Sequence, residues 1–166
     1  MKHITLAAAA FALLIGLTNY IPAGQTTPAV AKAVPAQGPI FPKGTRVPAA
    51  NFTGVAYLTP LVKDGPPYNC VMGSVSFEPG ARSNWHTHPA GQILLITDGL
   101  GYYQEEGRPV RLLHKGDVIQ AQPNVKHWHG ASPKQAMTHI SVSPNSDKGV
   151  VTWLQPVTDK EYNNYK

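Results

Sequence analysis

The sequence predicts an all-β domain, either a sandwich or a barrel, and two observations favour this class. Short runs rich in valine, isoleucine, tyrosine and phenylalanine recur after residue 51, and turn-forming sequences such as Glu78-Pro79-Gly80 separate them. No long segment repeats its apolar residues with the 3.6-residue period of a helix. A single terminal helical turn is predicted over residues 158–165, with Thr158 as its cap.

The predicted strands follow one another at the short spacing that is typical of sandwiches and barrels. Asp98-Gly99, Glu106-Gly107 and Lys115-Gly116 supply the glycines that turns between the central strands require. In chain order, the predicted strands span residues 55–61, 68–77, 92–97, 101–104, 110–113, 118–121, 127–131, 138–142 and 151–154.

The first fifty residues differ in composition from the rest of the chain. Lys2 and His3 precede an apolar run over residues 4–17, and small residues follow at Ala31 and Ala33. This is the layout of a secretory signal peptide, with an uncleaved anchor as the alternative interpretation. For a periplasmic or secreted protein, the expected organisation is a signal peptide over residues 1–33, a linker over residues 34–50 and one domain over residues 51–166.

Charge and cysteine content exclude several classes of partner. The sequence has 14 lysine and arginine residues and 9 acidic residues, so its net charge is +5. The positive residues form no continuous run. This distribution argues against nucleic acid as a partner, and against a membrane surface once the signal is removed, so a small-molecule substrate is expected. Cys70 is the single cysteine, which excludes an internal disulfide, and we interpret it as a small buried apolar residue.

Three histidines and a glutamine form a candidate metal site. His86 and His88 are two residues apart, so in a strand their imidazoles project from the same face toward one ion. Gln92 can approach through its amide oxygen, and His127 would come from a later strand folded back against the first pair. Imidazole and amide ligands suit a divalent ion, with manganese, iron, cobalt, nickel and zinc all possible.

Two further histidines are candidates for proton transfer. His129 lies two residues after His127, on the same strand face, and therefore points into the same cavity. His139 lies on the face opposite Thr138 and Ile140, and one of these two faces must point into a barrel. Histidine titrates near neutral pH and can accept a proton from a hydroxyl group. The alternative role is a hydrogen bond that orients a metal ligand.

The aromatic residues near these histidines are interpreted mainly as packing residues. Trp85 and Trp128 alternate with the histidines, so they face away from the ion, into the sheet or a partner subunit. Tyr103 is expected to be an inward residue with its hydroxyl group at the pocket wall. His114, next to a lysine and a glycine, is expected to lie in a solvated turn.

The spacing of these residues resembles the two motifs of the cupin superfamily. The resemblance implies a double-stranded β-helix barrel, also called a jelly roll. Gln92 stands where the wider family has glutamate, and a neutral ligand leaves the ion a stronger Lewis acid. The first motif matches at Gly80, His86, His88, position 92 and Gly99, and the second keeps Gly116 and His127 but has Gln122, Asn124 and Ala131 at its other positions.

Three segments, FEPGARSNWHTHPAGQ, KHWHGA and AMTHIS, narrow the resemblance further. They are similar to the carboxymuconolactone decarboxylase-associated cupins and especially to the manganese-dependent cupin hydroxynitrile lyases. Glutamine is the fourth ligand in those lyases, and their candidate base lies in the segment that matches AMTH, which implies His139 as the base. Small cupins commonly pair by strand exchange, which implies a homodimer or higher homo-oligomer. The resemblance thus implies Mn²⁺ held by His86, His88, Gln92 and His127.

The activity implied is that of an exported metal-dependent lyase. The ion acts as a Lewis acid on the hydroxyl group of a small alcohol, such as a cyanohydrin or hydroxy acid. His139 or His129 takes the proton as a carbon–carbon bond breaks. Three alternatives stay open: a dioxygenase that uses Fe(II), a lyase acting on a different small acid, and a protein that binds a metal or small ligand without turnover.

Overall fold

The computed structural model of the protein describes residues 39–165, and β-strands dominate this part of the chain. Every strand pairing in it is antiparallel. One α-helix, α1 (Asp159–Tyr162), follows the last strand. The strands are β1 (Thr45–Arg46), β2 (Phe52–Thr53), β3 (Ala56–Val62), β4 (Cys70–Phe77), β5 (Arg82–Ser83), β6 (His86–Thr87), β7 (Gln92–Glu105), β8 (Arg111–His114), β9 (Val118–Ala121), β10 (His127–Ala131), β11 (Met137–Pro144) and β12 (Thr152–Trp153).

The long strand β7 joins the two halves of a curled antiparallel sheet. Its first half pairs with β9 and β11, and from Leu100 onward it pairs with β8 and β10. The strand order along the sheet is β1-β3-β4-β11-β7-β10-β5-β2. Four short strands complete the sheet. Within the described residues β8 and β9 pair only with β7, and β6 lies between β10 and β12. The predicted all-β jelly roll is confirmed.

The structure departs from the sequence prediction at Asp98-Gly99, where a turn was expected. Strand β7 runs through both residues, and its pairing with β11 shifts register just before His139. The extra residue is Thr97, because Ile96 and Asp98 pair with consecutive residues of β11. Gly99, two residues later, has a φ of +77°, and a Cβ there would lie 1.9 Å from a backbone oxygen, so only glycine fits this position. Because of the extra residue Thr97, the alternate side chains of β7 point to opposite sides of the sheet before and after it. Ile96 before it and Tyr103 after it are therefore both buried in the same core.

Two apolar clusters stabilise the described domain. The first fills the barrel and includes Phe77, Leu94 and Met137. The second lies on the other face of β10 and contains Trp128 and Tyr162. Both tryptophans that alternate with the histidines, Trp85 and Trp128, belong to this second cluster and therefore face away from the candidate site, as the alternation indicated.

The sheet begins before the expected domain boundary at Asn51. Strand β1 lies within the segment interpreted as a linker, yet it pairs with β3, and Val47 packs against the barrel core. The expected signal peptide over residues 1–33 lies outside the described residues. Within residues 39–165, no helix has the length and apolar character that a membrane crossing requires.

The C-terminal segment is attached to the barrel by polar contacts as well as packing. The Arg82 guanidinium donates to the carbonyl oxygen of Val157 at 3.1 Å and to the Asp159 carboxylate at 2.6 Å. The hydroxyl group of Tyr162 donates to a carbonyl oxygen of β10 at 2.8 Å. Thr158 caps α1 with reciprocal hydrogen bonds to Glu161, which confirms the predicted helical turn and its cap. These contacts attach residues 157–162 to β5 and β10, and β12, just before them, pairs with β6.

Gly130 provides a test of how closely β5 and β10 pack. A Cβ added there would lie 2.4 Å from the carbonyl oxygen of Ala81 and 2.5 Å from the Cα of Arg82, and both are backbone atoms. We expect Gly130→Ala to lower the free energy of unfolding by about 1–3 kcal/mol, because two paired strands must separate to accommodate it. Denaturant unfolding at neutral pH measures the change.

The matched control is Gly73→Ala, which makes the same chemical change on a strand that lines the barrel. Its new Cβ would meet Cδ1 of Leu58, the end of a side chain that can rotate away. We expect a smaller loss than for Gly130→Ala, and equal losses for the two variants would contradict the assigned strand contact.

Candidate metal centre

The pairing of two short strands brings the first two candidate ligands together. His86 of β6 lies directly opposite His127 of β10 in the antiparallel register. Their ring centroids are 4.3 Å apart, and both side chains are buried. Because directly opposite residues share one face of a sheet, the two imidazoles point to the same side, into the barrel. The sequence-predicted convergence of the two motifs on one point is therefore observed for this pair.

Backbone carbonyl oxygens orient all three candidate histidine ligands. Nδ1 of His86 lies 2.9 Å from the carbonyl oxygen of Asn84, and Nδ1 of His127 lies 2.9 Å from that of Val125. Nδ1 of His88 lies 2.5 Å from the carbonyl oxygen of Val150. In each ring the Nδ1–H group donates, which leaves the Nε2 lone pair free to bind a metal ion.

Gln92, the first residue of β7, completes the group of donors. Its Oε1 lies 3.1 Å from Nε2 of His127, and its Nε2 donates to the hydroxyl group of Ser141 at 3.0 Å. A neutral imidazole has one N–H group, so His127 cannot donate both to its backbone carbonyl and to Gln92. With Nδ1 protonated, two lone pairs face each other across 3.1 Å. This contact is favourable when a cation lies beside both atoms.

Burial keeps these imidazoles neutral. Desolvation lowers the pKa of His86 well below its usual value, and it also lowers the pKa of His127. The pKa of His88 falls to about 4, first because of burial and second because of the nearby His127 ring. Neutral imidazoles and a carboxamide oxygen are ligands that first-row divalent ions accept. The donor set and its protonation state therefore fit a divalent metal ion.

The tightest group of potential ligand atoms differs in one member from the predicted set. Nitrogen atoms of His86, His127 and His129 all lie within 4.8 Å of one another. The nitrogen atoms of His88 are not in this group. Its ring is nevertheless no farther away, with its centroid 5.1 Å from that of His86 and 5.6 Å from that of His127, compared with 5.2 Å and 6.1 Å for His129. Among the described residues, the buried Nε2 of His88 has no hydrogen-bond partner. A buried nitrogen without a partner destabilises the fold, so Nε2 of His88 is also available to bind a metal ion.

The two proposed proton-transfer residues lie next to each other behind the ligands. The ring centroids of His129 and His139 are 4.7 Å apart, and both side chains are buried. Within residues 39–165, neither nitrogen of His139 has a hydrogen-bond partner, and the same holds for Nδ1 of His129. Burial lowers the pKa of His139 to about 4 and lowers that of His129 well below its usual value, so both are neutral at physiological pH.

A cavity of about 420 Å³ opens onto these histidines. Its size suits a small organic molecule, since ligand pockets commonly begin at about 300 Å³. Polar groups come mainly from the histidines, Gln92 and the serines of β11, whereas the walls are apolar. Lys63 and Asp64 supply the charges in the lining. The apolar walls comprise Phe52, Leu58, Pro60, Val62, Val71, Met72, Val75, Val150, Val151 and Trp153.

The structure also locates the remaining residues that the sequence singled out. Tyr103 packs its ring 5.5 Å from that of His127, but its hydroxyl group donates to Glu105 and the residue lies in the core, outside the cavity lining. The expectation that it contributes to the pocket wall is therefore wrong. His114 is exposed, as expected, but it is the last residue of β8 and not part of the turn that follows, and it lies beside Asp117. Cys70 is half-buried and unpaired among the described residues.

Sequence reasoning missed three contributors to the site. Ser141 contacts Gln92, and Val150 provides the carbonyl oxygen that orients His88. Trp153 lies opposite His86 in the β6–β12 pairing, and the two ring centroids are 5.0 Å apart. Alternation along β11 would have placed Ser141 on the same face as His139. The two C-terminal residues carry no comparable signal, because their role depends on docking of a distant segment.

The buried histidines predict that the metal-free protein loses stability in acid. The folded-state pKa values of His88 and His139 lie near 4, and in an unfolded chain a histidine pKa is about 6.5. Between these values the unfolded chain binds protons that the folded chain does not. The free energy of unfolding therefore decreases as the pH is lowered through this window, and it levels off below it. We expect each of the two residues to lower the free energy of unfolding by about 3 kcal/mol over the full window.

Denaturant unfolding of chelated protein at pH 7 and pH 5 tests this expectation. His114→Ala serves as the control, because it removes an exposed imidazole that lies outside the buried cluster. A metal-free protein equally stable at both pH values would show that these rings are not buried in the neutral form.

Comparisons with known proteins agree with the fold. The profile of the Cupin domain family matches residues 73–143. A protein described as (R)-mandelonitrile lyase, from Granulicella tundricola, is 47% identical over 115 residues, which cover 69% of this chain and 88% of that protein.

Two solved structures extend the comparison. A cupin-like protein from Thermotoga maritima is 45% identical and superposes with a TM-score of 0.75 over 77% of this chain and 98% of that one. A cupin 2 conserved barrel domain protein from Rhodopseudomonas palustris is 17% identical, with a TM-score of 0.55 over 70% of this chain and 78% of its own. The second likeness concerns the fold alone.

Proposed function

We propose a metal-dependent lyase activity for this chain, which belongs to the cupin superfamily. The reaction is the cleavage of a small hydroxylated compound, such as a cyanohydrin, into a carbonyl compound and a small carbon nucleophile. The observation that supports this most directly is the pair His129 and His139, buried, neutral and without partners beside the candidate metal ligands. The likeness to a mandelonitrile lyase supports the same class of substrate.

The metal ligands in this proposal are His86, His88, Gln92 and His127, with Mn²⁺ as the ion and Fe²⁺, Co²⁺, Ni²⁺ or Zn²⁺ as alternatives. His129, whose nitrogen lies with those of His86 and His127, stands close enough to contact a substrate held at the same point. When bound, the ion would supply Lewis-acid chemistry that lowers the pKa of a hydroxyl group. The residues of the chain carry out the proton transfer.

The neutral His139 accepts the substrate hydroxyl proton. The hydroxyl oxygen then forms the carbonyl double bond as the carbon–carbon bond breaks. The electron pair of the broken bond leaves with the cyanide carbon. His139 returns the proton to cyanide, so hydrogen cyanide and an aldehyde are the products. Because the pKa of His139 is about 4, it is a weak base, and it works only on a hydroxyl group that has been made acidic. The apolar walls exclude water from this exchange.

Export and self-association are part of the proposal and rest on the sequence. We propose that residues 1–33 direct the protein to the periplasm or the outside of the cell, where a homodimer forms. In the single chain, residues Phe52–Thr53 pair with β5. Amino-terminal sequencing of secreted protein and light scattering test these two points.

The decisive experiment measures two reactions on one sample of Mn²⁺-loaded protein. Benzaldehyde release from mandelonitrile is followed by absorbance, and oxygen uptake is followed with an electrode. We expect aldehyde release that stops after chelation and returns with Mn²⁺. Oxygen consumption coupled to turnover would overturn the lyase proposal in favour of a dioxygenase. Tight metal binding without either reaction, over a range of cyanohydrins and hydroxy acids, would leave a binding function instead.

A further inference from the structure

We infer that Ser141 is a positioning residue that holds the Gln92 carboxamide in the pose needed to ligate a metal ion. This inference rests on the metal site of the proposed function. It starts from a property of glutamine: the two ends of its amide have nearly the same shape, but only the oxygen can bind a cation. The oxygen can face the ligands only if the NH₂ group finds a partner on the other side.

Ser141 is that partner. Its hydroxyl oxygen accepts a hydrogen bond from Nε2 of Gln92 at 3.0 Å, while Oε1 of Gln92 faces His127. Within residues 39–165, Nε2 of Gln92 makes no other hydrogen bond, and the side chain is only 5% exposed. An amide whose oxygen is bound cannot turn to find water for its NH₂ group, so without Ser141 this donor stays buried and unpaired.

The position of Ser141 follows from strand pairing. Strand β11 lies beside β7, and Ser141 is directly opposite Leu94, two residues from Gln92. It shares its strand face with His139 and Ser143, and all three line the cavity. The hydroxyl group is therefore carried by a paired central strand, where its place relative to Gln92 is well defined.

Gln92 differs from the histidine ligands in how it is held. The rings of His86, His88 and His127 are all oriented by backbone carbonyl oxygens, which no side-chain substitution removes directly. Gln92 depends on one side-chain hydroxyl group. Ser141 is thus the place where a single substitution should weaken metal binding without touching a ligand.

Ser143 provides an internal control. It lies two residues farther along the same strand face, and its hydroxyl group is 3.4 Å from Nδ1 of His88. That nitrogen already lies 2.5 Å from the carbonyl oxygen of Val150, so it does not depend on the serine. Removing the Ser143 hydroxyl group should therefore have little effect on metal affinity.

The test compares Ser141→Thr with Ser141→Val. Threonine and valine have the same shape and the same preference for strands, and they differ only in the hydroxyl group. We expect Ser141→Val to bind Mn²⁺ about tenfold more weakly than Ser141→Thr in calorimetric titrations, in line with the effect of losing a ligand-orienting partner. Ser143→Ala should bind like the unmodified protein. In a Gln92→Ala background the difference between threonine and valine should vanish.

Equal affinities of the threonine and valine variants would overturn the inference while leaving the metal site intact. A difference that persists in the Gln92→Ala background would also overturn it, because Ser141 would then act by another route. If the unmodified protein binds no Mn²⁺, Co²⁺ or Zn²⁺, the proposed metal site itself fails, and the inference fails with it. Should Ser141→Val not fold, as judged by circular dichroism, Ser141→Ala against the unmodified protein makes the same comparison.

Discussion

Replacing His127 with alanine is expected to abolish metal binding and reduce turnover to that of the metal-free protein. This side chain is completely buried, lies opposite His86 and holds its Nε2 3.1 Å from the Gln92 oxygen. It is the proposed ligand that lies next to both His86 and Gln92. Loss of a partner that only orients a ligand costs about 10- to 100-fold in affinity, and loss of a ligand should exceed that.

Calorimetric titration with Mn²⁺ and metal analysis of the purified variant measure this effect. His114→Ala is the matched control, since it removes an exposed imidazole far from the barrel interior. Addition of free imidazole to His127→Ala should restore part of the binding, because the deleted ring leaves a space of its own size. Unchanged Mn²⁺ affinity in His127→Ala would remove the basis for the proposed metal site.

The second large effect is expected for His139→Phe, which should lower kcat by about 100- to 10,000-fold without weakening metal binding. Phenylalanine keeps a planar ring in a buried position that already contacts Phe77, at 5.7 Å between centroids. Both nitrogens of His139 are unpaired among the described residues, so the change removes no hydrogen bond and should preserve stability. The loss would therefore report on proton transfer alone.

The same measurements on His129→Phe separate the two candidate bases. If His139 is the base, its variant loses kcat with Mn²⁺ affinity intact, whereas His129→Phe affects metal or substrate binding through its contact with the ligand group. A normal kcat in His139→Phe, with the loss found in His129→Phe, would reverse the two roles.

Strand positions were predictable where local pattern and tertiary pairing agree. The predicted limits of β9 and β10 match the observed ones, and Thr158 caps α1 as its sequence indicates. The prediction failed at Asp98-Gly99, where local preference favours a turn. There β7 stays paired, with β11 as far as Gly99 and with β8 and β10 from Leu100 onward. That long-range pairing outweighs the local preference for a turn. The residues around Gly99 do not indicate it, so it could not be predicted from them.

The candidate site was predictable in its donors and less so in its surroundings. Regular spacing located His86, His88, Gln92 and His127, because alternation along strands determines which side chains share a face. The closeness of His129 to the ligand atoms depends on how the rings tilt, which spacing does not encode. The short strand β1 was missed for a similar reason. A two-residue strand in a proline-rich segment forms only because β3 offers an open edge.

The segment that follows β11 has a consequence for when the site can load its ion. Val150 orients His88, and Trp153 forms the wall beside His86, yet both come after every proposed ligand in the order of synthesis. A nascent chain therefore presents all its donor atoms before it can arrange them. We therefore expect a metal ion to bind only after this segment has docked, so the ions present at that moment would determine which one the protein carries.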